Sequence, residues 1–218
     1  MNKRQLRAHF KALRQQQHPV LQQGLDRLSG ADLEAMLAPW SGRHQAGGVV
    51  GLTWPLAAEP DLRPWLQGLD RPLALPAVAS GRVLYRRWQP GQPLHPDDCG
   101  IPAPVASGPP LQAGQLVLLL VPALAVDRRG VRLGYGGGWY DRLRADPAWR
   151  QVPSLVVLPA ACVCDRLPDD PWDVPFDGWL DEHGCHWIDD RDRHPSDLTN
   201  RSQPPHLGSR FARIRQDQ

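Results

Sequence analysis

The chain has 218 residues, 41% of them hydrophobic and 22% charged, enough for one large or two small domains with a sizeable core. Its 25 basic residues against 23 acidic ones leave a formal charge of +2, which excludes a global electrostatic footprint for nucleic acid or an anionic membrane; any anion must be bound locally. No apolar run reaches the length of a membrane span, and no apolar segment with a small-residue cleavage site follows the basic N-terminus. The four cysteines (Cys99, Cys162, Cys164 and Cys185) are too irregularly spaced for a disulfide framework or a zinc knuckle, so a soluble cytoplasmic protein is expected.

In chain order, Leu6, Phe10 and Leu13 recur at helical spacing and predict a helix over 3–16, with Lys3, Arg7, Lys11 and Arg14 forming a cationic stripe beside them. A second helix is expected over about 20–38, broken near the Ser-Gly-Ala-Asp run at 29–32. The run GGVVGLTW (47–54) predicts a buried strand, and EPDLRPWLQGL (59–69) a short helix. Strands follow at RPLALPAV (71–78) and RVLYRRWQ (82–89), then a proline-rich connection over 90–110 expected to be extended at best.

The most apolar strand is expected over 115–126. After it come the glycine-rich RLGYGGGWYDR (132–142), a helix over about 140–144, a strand at 154–159 and another at 176–182. Near-continuous apolar strands alternating with helices predict an α/β fold: a single three-layer domain over 1–188 with a mainly parallel sheet flanked by helices. The polar, turn-rich residues 189–218 read as a disordered tail. The eight histidines form no catalytic constellation and read as surface or loop residues.

Ligands of such sheets sit beyond the carboxyl ends of the strands, which is where the four glycines Gly134, Gly136, Gly137 and Gly138 fall. Consecutive glycines before a helix can aim backbone N–H groups at a phosphate, with Arg132 adding charge and Asp141 a hard oxygen ligand for a divalent cation. The loop fits neither the P-loop nor the dinucleotide fingerprint, since Trp139 stands where the last glycine of the latter would be, so a purely structural turn and a phosphate cradle both stay open. Taken alone, Lys3 and Arg7 read as a solvated helix face, Glu59 as a helix cap and Asp173 as an Asx turn. Among the aromatics, Tyr140 reads as core and Tyr135, between glycines, as a ligand face.

The segment LVPALAVDRRGVRLGYGGGWYDR (120–142) resembles the signature of the 5-formyltetrahydrofolate cyclo-ligase family, also called 5,10-methenyltetrahydrofolate synthetases. Further pieces follow in family order: KRQLR at 3–7, TWPLAAEPD at 53–61, RPLALPAV, CGIPAP at 99–104, and DDPWDVPFDGWLDEHG at 169–184. The resemblance implies a three-layer α/β fold and conversion of 5-formyltetrahydrofolate to 5,10-methenyltetrahydrofolate with ATP as co-substrate and Mg2+ as cofactor. A related binding protein without turnover is the second reading.

By resemblance, Lys3 and Arg7 match the N-terminal ATP-contacting pair, and Arg132, Leu133, Gly134, Tyr135, Gly136, Gly137, Gly138, Trp139 and Tyr140 match the nucleotide loop. Lys3, Arg7 and Arg132 would stabilise the transferring phosphoryl. Trp54, Glu59 and the stretch from Tyr135 through Gly136, Gly137 and Gly138 to Trp139 match folate-contacting positions, and Asp141 with Asp173 the magnesium ligands. The partners implied are the reduced folate and ATP, on a monomer, without nucleic acid or membrane.

Overall fold

The computed structural model describes residues 1–38, 48–66 and 71–188; the tail expected over 189–218 lies outside the described residues. Helix α1 (Lys3–Leu25) starts at a capping box, in which the Asn2 side chain accepts from the Gln5 N–H at 2.9 Å and the Gln5 side chain accepts from the Asn2 N–H at 3.0 Å. The helix runs past the expected end at residue 16 and through Pro19. Pro19 and Gln15 are both exposed, so the Gln15 carbonyl that the missing N–H leaves without a helical partner lies on the solvent side of the helix. The buried stripe Phe10, Arg14, Leu21, Gly24 and Leu25 continues across the proline and holds one helix together. The expected break is the start of α2 (Gly30–Leu37), where Ser29 and Asp32 cap each other.

Strand β1 (Val49–Gly51) is followed by the single turn α3 (Arg63–Leu66) and by β2 (Leu73–Ala79) and β3 (Arg82–Trp88). These last two are joined by a two-residue turn whose Ser80 and Gly81 take φ of 50° and 74°, the left-handed pair that matches strand twist. The proline-rich connection departs from expectation and forms a hairpin of β4 (Leu94–Pro96) and β5 (Pro102–Pro104). Asp97 organises it, since Oδ1 accepts from the N–H of Cys99 and Ile101 while Oδ2 accepts from the Val78 N–H of β2.

The long apolar strand also differs from expectation: β6 (Leu116–Pro122) ends at a proline that cannot donate to a ladder, and β7 (Ala125–Asp127) turns away to pair with β8 (Arg132–Leu133). Helices α4 (Trp139–Ala145) and α5 (Pro147–Arg150) lead to β9 (Ser154–Val157) and β10 (Val163–Cys164), the latter joining β7. The chain closes with β11 (Gly178–Asp181) and β12 (Gly184–Trp187), a hairpin of which only the first strand was expected.

The main sheet has the order β12-β11-β9-β6-β1-β2-β3, parallel throughout its centre and antiparallel at both edges. Both faces are buried. Successive residues Leu118, Leu119, Leu120 and Val121 alternate between two clusters, one with Phe10 and Leu143 from α1 and α4, the other with Leu21, Leu25, Leu33 and Leu66 from α1, α2 and α3. The fold is therefore three-layered.

Helix α1 feeds both clusters by lying across the carboxyl ends of the strands. Arg14 meets Ala123 beyond β6, and Gly24 meets Glu182 beyond β11. A Cβ on Gly24 would fall 2.5 Å from the Glu182 Cα, a backbone atom. Gly24→Ala should therefore cost about 1–3 kcal/mol and lower the melting temperature by at least about 3 °C in calorimetry. An unchanged transition would contradict this docking.

Candidate active site

In chain order the parallel strands are β1, β2, β6, β9 and β11, yet β1 and β6 are neighbours with β2 on the far side of β1. The winding direction reverses between β1 and β6, and open α/β sheets hold their ligands beyond the carboxyl ends of the strands at such a reversal. The segments leaving those two strands carry Trp54, Glu59 and the glycine loop, and α1 covers them with Arg7 and Arg14.

The break after β6 leaves two carbonyls at the strand end, and each is taken by an arginine. Arg132 Nη1 donates to the Pro122 carbonyl at 3.2 Å, and Arg14 Nη1 donates to the Ala123 carbonyl at 2.8 Å and to the Tyr135 hydroxyl. Arg14 is 1% exposed and faces Glu59, whose Oε1 lies 3.8 Å from Nη2. Glu59 is itself buried and anchored by one oxygen, as Oε2 accepts from the Leu56 N–H at 3.0 Å. Ala58 holds the preceding turn at a φ of 63°, a left-handed conformation costly for a residue with a Cβ. Arg14 Nε and Nη2, Glu59 Oε1 and Arg132 Nε are buried and make no hydrogen bond among the described residues. Orphaned charged atoms of that kind are costly unless a ligand satisfies them.

The glycine loop joins this group from the other side. Arg7 Nε donates to the Gly134 carbonyl at 3.1 Å, and a Cβ on Gly134 would press within 3.0 Å of the Arg132 guanidinium. Gly136 and Gly138 take φ of 107° and 63°, so the turn needs glycine on conformational grounds as well. Arg142 donates to the Gly137 carbonyl at 2.9 Å and lies over the Trp139 ring at 4.5 Å. The Leu133 side chain is core, and Tyr140 is packed against the same cluster. Tyr135 is half-exposed, with its ring beside Arg14.

Arg132 lies beneath the loop between the Tyr140 and Phe176 rings, at 5.1 and 5.4 Å, with Asp141 at 3.7 Å. Burial pulls its guanidinium below the ordinary arginine value, while the charges of Asp141, Tyr140 and Asp173 act in the opposite direction. Both acidic residues of the expected metal pair therefore act on one buried cation.

Lys3 Nζ donates to Asp170 at 2.6 Å and to Asp173 at 2.9 Å. Burial lowers the Lys3 pKa, but these two carboxylates outweigh it and hold the ammonium above its ordinary value. Asp173 Oδ2 also accepts from the Asp170 N–H, which leaves Oδ1 as the oxygen it can give to a metal. The Trp54 ring is covered by Arg63 at 4.0 Å and set edge-on to Trp88.

The structure thus gathers Arg7, Glu59, Arg132, Asp141 and the loop at one site, with the Lys3–Asp173 pair at its flank. Sequence reasoning missed Arg14, Arg142, Asp170 and His18, whose Nε2 lies 3.1 Å from the Glu59 carbonyl. For Arg14 the signal was present, since it sits two turns beyond Arg7 on the cationic stripe. Two of the histidines read as surface or loop residues lie half-buried in regular elements, His18 in α1 and His186 in β12, where it stacks on Trp179 and meets Asp181.

The three tyrosines of the chain, Tyr85, Tyr135 and Tyr140, all have hydroxyls pushed up by burial, Tyr140 to about 12. For Tyr135 the Arg14 charge opposes that rise and the Glu59 charge adds to it. Folding favours the neutral phenols, so this stabilisation is complete below their ordinary pKa of about 10 and is lost as the pH climbs towards the raised values. A spectroscopic titration should show no tyrosinate in the folded protein at about pH 10, with ionisation accompanying unfolding above it. Tyrosinate forming at that pH in the folded state would contradict the packing.

A doubly wound sheet with arginines and a glycine-rich loop at its switch point defines the class as an open α/β protein. The sequence profile of the 5-formyltetrahydrofolate cyclo-ligase family matches residues 69–181. A 5-formyltetrahydrofolate cyclo-ligase of Mycolicibacterium smegmatis is 34% identical over 153 residues, 66% of this chain and 78% of that protein. One from Haemophilus influenzae is 36% identical over 100 residues, 43% of this chain, so this match spans about half of that relative's length, 51%. The solved 5,10-methenyltetrahydrofolate synthetase of Aquifex aeolicus superposes with a TM-score of 0.59 at 25% identity, covering 87% of this chain and 94% of that one. The Mycoplasma pneumoniae synthetase shares the fold at a TM-score of 0.59 and 19% identity, over 84% of this chain and 99% of that one. The chain belongs to the 5-formyltetrahydrofolate cyclo-ligase family, a family of enzymes. No helix among the described residues is long and apolar enough to cross a membrane.

Proposed function

We infer that the protein is an ATP- and Mg2+-dependent 5-formyltetrahydrofolate cyclo-ligase that forms 5,10-methenyltetrahydrofolate, ADP and phosphate. The observation that carries this reading is the buried Glu59, held through one oxygen by the Leu56 N–H while the other makes no hydrogen bond among the described residues and faces Arg14 at 3.8 Å, close to the loop that Arg7 and Arg132 support. A carboxylate so placed can accept from the paired N–H donors of a pterin, and the neighbouring cations can hold a triphosphate.

The chemistry suits these groups. The formyl carbon is part of an amide, a poor electrophile whose oxygen is a poor leaving group. Attack of that oxygen on the γ-phosphorus forms an O–P bond, breaks the bond to the β-phosphate and releases ADP. N10 then attacks the activated carbon and loses its proton, and the N5 lone pair expels phosphate to leave the methenyl cation. Positioning and charge stabilisation suffice for the first step, and no nucleophilic side chain is required.

Arg132, already desolvated, is the group that gains most from a phosphoryl anion; Arg7 both supports the loop and adds charge, and Lys3 extends the cationic side. The backbone from Leu133 through Tyr140 lines the phosphates, while Trp54, Tyr135 and Trp139 border the folate. Hard carboxylate oxygens of Asp141 and Asp173 would hold Mg2+, which neutralises phosphate charge when bound.

Purified protein supplied with 5-formyltetrahydrofolate, ATP and Mg2+ should generate the methenyl chromophore and ADP together. Arg7→Ala and Asp141→Asn should each lower kcat/KM by about 10²-fold or more, the scale of a lost transition-state charge contact. Absence of both products would overturn the reading in favour of a binding protein without turnover, and near wild-type rates in both variants would remove those two roles.

A further inference from the structure

We propose that Arg14 is a substrate-contacting specificity residue, which reads the 4-oxo group of the pterin while Glu59 reads its amino edge. The inference rests on the cyclo-ligase reading of the same site. Arg14 and Glu59 each have one polar atom fixed by the protein and at least one left over. Arg14 Nη1 is held by the Ala123 carbonyl and the Tyr135 hydroxyl, and Glu59 Oε2 by the Leu56 N–H. The remaining Arg14 Nε and Nη2 and Glu59 Oε1 are buried without a hydrogen-bond partner among the described residues, and Nη2 and Oε1 lie 3.8 Å apart, too far to satisfy each other.

Such an arrangement sets donors beside an acceptor in a desolvated wall. The matching ligand edge presents donors beside an acceptor in the same order. A reduced pterin does so with its 2-amino and N3 protons next to the O4 carbonyl. Glu59 accepts from the two N–H groups, and Arg14 donates to O4. Helix α1 brings Arg14 across the end of β6, and the half-exposed Tyr135 ring, 5.8 Å from the guanidinium, borders the same place. Arg14 thus selects at one atom of the substrate, and phosphate charge falls to Arg7 and Arg132.

The test is a set of equilibrium titrations of the full chain, wild type and Arg14→Met, with three folates. These are 5-formyltetrahydrofolate, its 4-amino analogue and its 2-desamino analogue. The wild type should bind the 4-amino compound about 10- to 100-fold more weakly than the 4-oxo compound, because a donor then faces the arginine and N3, which no longer carries a proton, turns a lone pair to Glu59. In Arg14→Met the arginine's share of that penalty disappears, so it should shrink by about threefold or more while the share read by Glu59 at N3 remains, and the 2-desamino penalty, read by Glu59, stays within about threefold of wild type. A general loosening of the pocket would move both penalties together.

Arg14→Lys, which keeps the charge but not the planar fork, should retain part of the discrimination. Equal wild-type affinity for the 4-oxo and 4-amino compounds overturns the proposal even if Arg14→Met does not fold, and so does full discrimination surviving in that variant. Failure of the wild type to bind any of the three overturns the cyclo-ligase reading itself.

Discussion

Replacing Arg132 by methionine is expected to lower kcat/KM by about 10³-fold while leaving the protein folded. The guanidinium is buried between two aromatic rings, accepted by one strand-end carbonyl and 3.7 Å from Asp141. Methionine fills a similar volume against Tyr140 and Phe176, and Asp141 keeps access to water, so no charge is trapped. What disappears is a cation already stripped of solvent, whose interaction with a transferring phosphoryl requires little further reorganisation. Arg132→Lys should recover only part of the loss, because a point charge cannot hold the Pro122 carbonyl and face a phosphate in one planar fork. Steady-state kinetics with melting curves on both variants decide the matter. A methionine variant within about tenfold of wild type would assign Arg132 to structure alone.

Glu59→Gln is expected to act on the other substrate. The amide keeps the shape and can still accept from the Leu56 N–H, so the turn strained at Ala58 is preserved. It cannot present two charged acceptors to a pair of N–H donors, and it leaves the Arg14 charge without its neighbour. Charge-assisted bonds contribute about 1.5–3 kcal/mol each, so affinity for 5-formyltetrahydrofolate should fall by about 10²-fold. ATP affinity should be unchanged. Titration of each ligand separately checks this, and an equal loss for both would mean that Glu59 supports the site as a whole.

The features legible in the sequence were those set by local pattern. Continuous apolar runs such as Leu116–Val121 announced buried parallel strands, and glycines followed by Trp139 announced a turn into a helix. Errors arose where a local rule met a particular environment. The helix expected over 3–16 runs on through Pro19, which lies on the exposed face while the buried stripe from Phe10 to Leu25 continues on the other. The proline-rich connection was read as extended, although Asp97 gathers backbone donors there and ties a hairpin to β2.

Arg14 shows the same limit within the site. Four basic residues at helical spacing look like a solvated stripe, yet Lys11 is exposed and Arg14 is buried. What decides between them is Ala123, Tyr135 and Glu59, all distant in sequence and brought to one point only by the reversal between β1 and β6. The roles of Glu59, Lys3 and Asp173 came from resemblance, since each taken alone has an ordinary structural explanation. In the fold, Lys3 and Asp173 form an ion pair, and both Asp173 and Asp141 act on Arg132.

The central claim is that this site activates the formyl oxygen by phosphorylation. The most direct measurement is a turnover with a heavy-oxygen label in the formyl group of 5-formyltetrahydrofolate, followed by mass analysis of the inorganic phosphate released. One labelled oxygen in the phosphate for each methenyl product formed is the predicted result. Methenyl product accompanied by unlabelled phosphate, with the label in water, would contradict it.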